Sequence, residues 1–174
     1  MARTTNQHRF EDLYEEYKLE VQAYCMRRLG SNDAADACSE TFLVAWRRLD
    51  DIPPPPETLP YLYGIAHRVV SNQFRSLRRR SRLDARLMSL GVSVADDPSV
   101  LVAQSSHHQE VVAAVRRLKP KDREIVMLYA WEDLSRETIA EMMGMTRSAL
   151  DQRIHRANQR LARILEPNGR KEEE

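Results

Sequence analysis

The chain has 174 residues, a formal net charge of +1, 42% hydrophobic residues and five glycines. That length fits one domain or two small ones, and so even a charge balance excludes a uniformly basic nucleic-acid coat, leaving local clustering of charge as the route to such a site. The N-terminus lacks an apolar signal core and no apolar run approaches the roughly 20 residues that cross a bilayer, so a soluble, reducing, cytoplasmic setting is expected.

Residues 1–9 are polar and are expected to be disordered. From Phe10, the positions Phe10, Leu13, Tyr14, Tyr17, Val21, Tyr24 and Cys25 predict an amphipathic helix ending near Gly30. Glu11, Asp12, Glu15, Glu16 and Glu20 fall on its acidic face, most simply a solvated one. Ser31 or Asn32 can cap a second helix running to about Leu49. Phe42, Ala45, Trp46 and Leu49 give it a core-facing stripe, while Asp36, Glu40, Leu43 and Arg47 lie elsewhere on its surface. That mixed surface suits a protein interface, or a merely exposed helix equally well. Cys25 and Cys38 are the only cysteines; neither has metal-ligand spacing, and both read as small thiols buried in helices.

The segment DDIPPPPE, Asp50 to Glu57, breaks the pattern, because four consecutive prolines cannot continue a helix and favour a stiff extended loop. Thr58 can then cap a third helix. Leu59, Leu62, Ile65, Ala66, Val69, Val70, Phe74 and Leu77 make its apolar face. Arg68, Ser71, Asn72, Arg75, Arg79 and Arg82 line the other side, with Arg78 and Arg80 nearby. A basic row interleaved with amides and entered through Tyr61 and Tyr63 offers phosphate neutralisation together with stacking platforms. A solvated face more usually mixes signs, and Asp84 is the only acid between His67 and Arg86.

Gly91 to His108 has no sustained periodicity and reads as an interdomain linker with a short apolar patch, Val100 to Ala103. Adjacent histidines such as His107 and His108 point in different directions on a helix and have no thiol or carboxylate partner placed to help, so no metal site is expected. Val112, Val115 and Leu118 form a short helix. Pro120 suits the first turn of the next, with Asp122 and Glu124 near its start and Ile125, Leu128, Tyr129 and Trp131 inside.

The last stretch, Asp133 to Leu165, predicts two helices around a tight turn. Ser135 is the first N-cap, with Leu134 and Ile139 as its staple and Glu137 in the first turn. Gly144 supplies the left-handed residue past the helix end. Thr146 caps the second helix, with Met145 and Leu150 repeating the staple. Leu150, Ile154, Ala157, Leu161 and Ile164 share its buried face, and Ser148, Gln152, His155, Arg156, Gln159 and Arg163 the opposite one. Such a pair is a helix-turn-helix able to seat its second helix in a DNA major groove, or an ordinary helical hairpin with a charged face. The fold class expected is all-α, two small helical domains joined by a flexible linker.

In order and spacing these pieces resemble the extracytoplasmic-function sigma factors of bacterial RNA polymerase. FEDLYEEY at Phe10 to Tyr17, DACSETFLVAW at Asp36 to Trp46, LPYLYGIAHRVVSNQFRSLRRR, LKPKDREIVMLYAWEDLS and LDQRIHRANQRLARIL carry the resemblance, which spans nearly everything from Phe10 to Leu165. It implies a disordered N-terminus at 1–9, a region 2 domain at 10–88, a linker at 89–108, a region 4 domain at 109–166 and a charged tail at 167–174. It implies a transcription initiation factor that binds core polymerase, reads −35 and −10 elements and helps open the −10 DNA.

Asp36, Glu40, Phe42, Leu43, Trp46 and Arg47 would meet polymerase. Tyr61, His67, Arg68, Asn72, Arg75, Arg78 and Arg79 would hold the opened −10 strand behind the loop from Ile52 to Thr58. Arg147, Ser148, Gln152, His155 and Arg156 would read the −35 element, with Arg153 flanking. The resemblance implies an anti-sigma factor as a further partner and no cofactor. Ser39 stands where glutamine is common, Asn72 where many members have aspartate, Asp151 where lysine is frequent and Asn158 where arginine is. An operator-binding regulator that acts without polymerase is the alternative, but it leaves the basic third helix and the proline loop without a role. An RNA-binding module leaves the helix-turn-helix unexplained. No nucleophile–base pairing or phosphate-cradling glycine loop points to an enzyme.

Overall fold

Side-chain periodicity is converted into helices throughout the computed structural model, which describes residues 2–29, 31–88 and 106–166. Among them are seven α-helices, a short 3₁₀ turn at Leu49–Asp51 and no strand. The helices are α1 (Ala2–Met26), α2 (Ser31–Arg47), α3 (Thr58–Met88), α4 (Ser106–Arg116), α5 (Pro120–Ala130), α6 (Arg136–Met143) and α7 (Arg147–Leu165). They fall into two units, residues 1–100 and 101–174.

In the first unit α1, α2 and α3 pack on one another. Val21, Tyr24, Cys25, Ala37, Ala45, Leu62 and Ala66 are fully or almost fully buried between them. Tyr24 stacks on Tyr63 at 5.1 Å, and the Arg28 guanidinium lies over the Tyr24 ring at 3.5 Å. Thr41, also fully buried, satisfies its hydroxyl by donating to the Ala37 carbonyl at 2.7 Å, as a helical threonine commonly does.

The first helix is longer than its apolar pattern. It begins at Ala2 rather than near Phe10, so residues 2–9 are helical where disorder was expected; residue 1 lies outside the described residues. Nothing in the polar segment breaks a helix, and Gln7 donates to Glu11 one turn on at 3.0 Å, the kind of pair that extends helices without burial.

The proline loop is tied down by Thr58. Its hydroxyl donates to the Pro53 carbonyl at 2.8 Å. Thr58 is therefore the first residue of α3 and a loop anchor, rather than the side-chain cap expected of it. Tyr17, whose phenol is pushed above its ordinary value by burial and by Glu16, lies close to Thr58, so α1 reaches the same corner.

In the second unit α7 packs against α4, α5 and α6. Ile125, Leu128, Ile139 and Leu150 are fully buried, and Val115, Leu118, Val126, Met127 and Ala157 form one cluster with Val111, Trp131 and Leu161 at its margin. Capping follows the sequence closely. Ser135 accepts from the Thr138 amide, Gly144 closes α6 at φ 60° and ψ 47°, and Thr146 accepts from the Ala149 amide. Asp133, at φ 50°, turns the chain from α5 towards α6, a left-handed position that aspartate tolerates better than most residues. The apolar patch at 100–103 and the charged tail at 167–174 lie outside the described residues, while α4 begins three residues before position 109.

Candidate nucleic-acid and protein interfaces

At 1.5 Å per residue, the 31 residues of α3 span about 46 Å. Among its described side chains, those of residues 58–76, the last buried one is Val70. With 100° between successive residues, Tyr61, Arg68, Asn72 and Arg75 fall within about 40° of one line along the helix. Arg68, Asn72 and Arg75 are exposed and Tyr61 is half-buried in the first turn, beside the proline loop. His67, half-buried, lies about a third of a turn round. Arg75 is steadied by its Nε, which donates to the Ser71 carbonyl at 3.4 Å. The side chains of Arg78 and Arg79 lie outside the described residues, although both positions belong to α3.

Two aromatic expectations on α3 are corrected. Tyr63 is 4% exposed and committed to its stack on Tyr24, so it offers no platform to a base. Phe74 belongs to the expected apolar face, yet it is 43% exposed; it continues the Val70 row one turn beyond the last buried residue among the described side chains.

On α2, Asp36, Glu40, Leu43 and Arg47 are all exposed, and Leu43 and Trp46 are among the large apolar side chains most open to solvent. Phe42 is different. It is 4% exposed and meets Tyr14 edge-on at 4.8 Å and Phe10 at 6.4 Å. Burial removes Phe42 from the surface group and makes it the support beneath it. Trp46, in turn, was expected in the core stripe; it packs edge-on against Phe10 at 5.1 Å and still shows 43% of its surface. Trp46, Leu43 and Tyr14 are thus apolar side chains left open to solvent, and Asp36, Glu40 and Arg47 share the Leu43 face of α2 by helical spacing. Cys38, on the same helix, is partly buried, and burial pushes its thiol up. Cys25 is fully buried.

On α7 the outward arc opposite Leu150 and Ile154 carries Ser148, Gln152, His155 and Arg156, all exposed and within about 100° of one another. His155 and Gln159 are 2.9 Å apart, and Arg156 donates to the Gln152 carbonyl at 3.1 Å. Arg153 points elsewhere: it donates to Asp122 of α5 at 2.7 Å, a structural tie rather than part of the outward arc. Arg147 occupies the other flank, where Asp151 accepts its Nε and Glu137 meets its Nη1. Asp151 also accepts from Arg136 at 3.1 Å, and Tyr129 together with Asp151 pushes the Arg136 guanidinium further up. The Arg147–Asp151 contact has a visible i,i+4 spacing. The contributions of Arg136 and Glu137 had no signal in the chain order.

Among the described residues no group of three or more His, Cys, Asp or Glu side chains could hold a metal ion, and no helix is long and apolar enough to cross a membrane. The side chains of His107 and His108 lie outside the described residues.

Comparison with known proteins accounts for both units. The family model for sigma-70 region 2 matches residues 13–80, and that for sigma-70 region 4 matches residues 108–161. The chain is 32% identical over 163 residues to the ECF RNA polymerase sigma factor BldN of Streptomyces coelicolor, covering 92% of this chain and 62% of BldN. It is 27% identical over 183 residues to the RNA polymerase sigma factor CnrH of Cupriavidus metallidurans, covering 98% of this chain and 93% of CnrH. The chain therefore spans less than two thirds of BldN. In fold it is similar to the sigma factor RpoE of Bartonella quintana, solved in complex with the anti-sigma factor NepR, with a TM-score of 0.65 and 21% identity over 91% of this chain and 98% of that one.

Proposed function

The chain belongs to the extracytoplasmic-function RNA polymerase sigma factors, and from that membership we propose that it directs core polymerase to promoters by holding a −10 element with α3 and a −35 element with α7. One observation carries this reading above all. A basic, amide-bearing row on α3 behind an anchored proline loop, and a capped helix-turn-helix ending in α7, occur in that order on one chain.

The chemistry divides between the two units. Parting a duplex costs roughly 1.4 kcal/mol of stacking per step. Tyr61 and His67 offer ring faces to extruded bases, while Arg68, Asn72 and Arg75 hold the strand through its phosphates and edges. On α7, Ser148, Gln152, His155 and Arg156 face the major groove, and Arg147 flanks them at the helix start, paired with Asp151 and Glu137. Each grip alone is weak. Fixed to one polymerase, the second contact becomes intramolecular and gains by effective concentration.

Asp36, Glu40, Leu43, Trp46 and Arg47 form the polymerase-docking patch in this reading, with Phe42 bracing it from beneath. The region 2 domain is assigned to 10–88 and the region 4 domain to 109–166, acting in the cytoplasm without catalysis of their own. RpoE of similar fold was solved with an anti-sigma factor, and an inhibitor of that class covering the same patch is assigned here too. Failure of any inhibitory protein to co-purify from cells, with constitutive polymerase binding, would remove that part alone.

The test is transcription by bacterial core polymerase with and without the protein, on a library of upstream regions. Discrete start sites that weaken when Arg68 and Arg75 are neutralised support the reading. No stimulation, with duplex DNA bound by the protein alone, favours a regulator that works without polymerase.

A further inference from the structure

Five side chains run as a chain of contacts across the helix-turn-helix. The Tyr129 ring lies under the Arg136 guanidinium at 5.3 Å. Arg136 Nη1 donates to Asp151 Oδ1 at 3.1 Å, and Arg147 Nε donates to Oδ1 at 3.3 Å and to Oδ2 at 3.2 Å. Arg147 Nη1 then meets Glu137 Oε1. Two cations from the starts of both helices are thereby matched to two carboxylates. The side chains are open enough to exchange partners, at 38% for Arg136, 42% for Arg147, 39% for Asp151 and 69% for Glu137.

Ion pairs this exposed contribute little to stability. Their effect on binding is larger. Arg147 opens α7, where an unpaired guanidinium would meet the phosphates of any duplex, and each phosphate neutralised adds affinity without sequence information.

We propose that Asp151 is a positioning residue that sets promoter selectivity by holding Arg136 and Arg147 back from indiscriminate phosphate contact. Glu137 assists it at Arg147. Discrimination then falls to the outward arc of Ser148, Gln152, His155 and Arg156, which addresses base edges. This inference rests on the reading of α7 as the −35 helix.

The experiment uses the full chain bound to core polymerase and a pool of randomised duplexes, from which preferred sequences are selected and their affinity compared with the unselected pool across salt concentrations. Asp151→Asn is expected to tighten binding to the unselected pool several-fold. It should steepen the dependence of log affinity on log salt by about one to two, and lower the selected-to-unselected ratio. Asp151→Glu keeps the charge and should retain the ratio. Glu137→Gln, at the most exposed member of the chain, should move the salt slope the same way by less.

An Asp151→Asn protein with unchanged slope and ratio overturns the proposal, as does one that weakens binding to all duplexes alike. If Asp151→Asn fails to fold, an unchanged slope in Glu137→Gln overturns it. Should the unsubstituted protein select no sequence at all, the promoter-reading function itself fails. A normal selection that neither variant disturbs sinks only the role of Asp151.

Discussion

Arg153 of α7 donates to Asp122 in the first turn of α5 across 2.7 Å, joining two helices whose contacting residues are 31 positions apart. Asp122 is the more enclosed partner, with 19% of its side chain exposed against 36% for Arg153. The pair fastens α7 to the body of its unit. We predict that Asp122→Asn destabilises the second unit by about 1 kcal/mol, lowering its melting temperature by roughly 5 °C. Arg153→Gln should do the same and leave the salt dependence of DNA binding unaltered. A change in that slope equal to the one produced by Arg156→Gln would instead place Arg153 on the DNA.

Phe42 and Trp46 sit one helical turn apart and should separate stability from docking. Phe42 is core, enclosed by Phe10 and Tyr14, so Phe42→Ala is expected to cost about 3–5 kcal/mol, read by denaturant unfolding of the first unit. Trp46, at 43% exposed, has less to lose on folding. Trp46→Ala should cost about 1–2 kcal/mol of stability while weakening core polymerase binding at least tenfold. Equal losses of stability in the two variants would show that Trp46 is structural and would take it out of the docking patch.

These contrasts mark how far the chain could be read without its structure. Caps at Ser135 and Thr146 and the left-handed Gly144 were legible because each depends on neighbours within three or four residues. The outward arc of α7 was legible for the same reason, since 3.6-residue periodicity separates Leu150 and Ile154 from Gln152 and Arg156. Periodicity alone could not tell how far a partner helix extends. Phe74 follows the Val70 row correctly and yet is exposed, while Phe42 and Trp46 share a stripe and differ in burial. Nor could it pair Arg153 with Asp122, or Arg136 with Asp151, because those contacts are made by the folding of separate helices onto one another. Tyr63 misled for a related reason, its partner Tyr24 lying on α1.

Thr58 links the proline loop to α3 through its bond to the Pro53 carbonyl. Thr58→Val keeps the shape and removes the donor, leaving a carbonyl to find water or remain unpaired. The expected cost is about 1–2 kcal/mol. A larger effect should fall on promoter opening, followed by permanganate reactivity of thymines, because Tyr61 lies in the next turn. Normal opening at reduced stability would confine the loop anchor to a structural role.

Cys38 provides a prediction about pH. Burial raises its thiol above the ordinary value, so the folded state holds the neutral form where the unfolded chain would already ionise. The associated stability is fully present below the unfolded-state value and is lost as pH rises through the folded one. The thiolate is the reacting species. Carboxamidomethylation of Cys38 in the native protein should therefore trail that of a free cysteine peptide at mildly alkaline pH, and its rate profile should be displaced to higher pH. Fully buried Cys25 should react only on unfolding. Rapid modification of Cys38 near neutral pH would instead mark an activated thiol on α2.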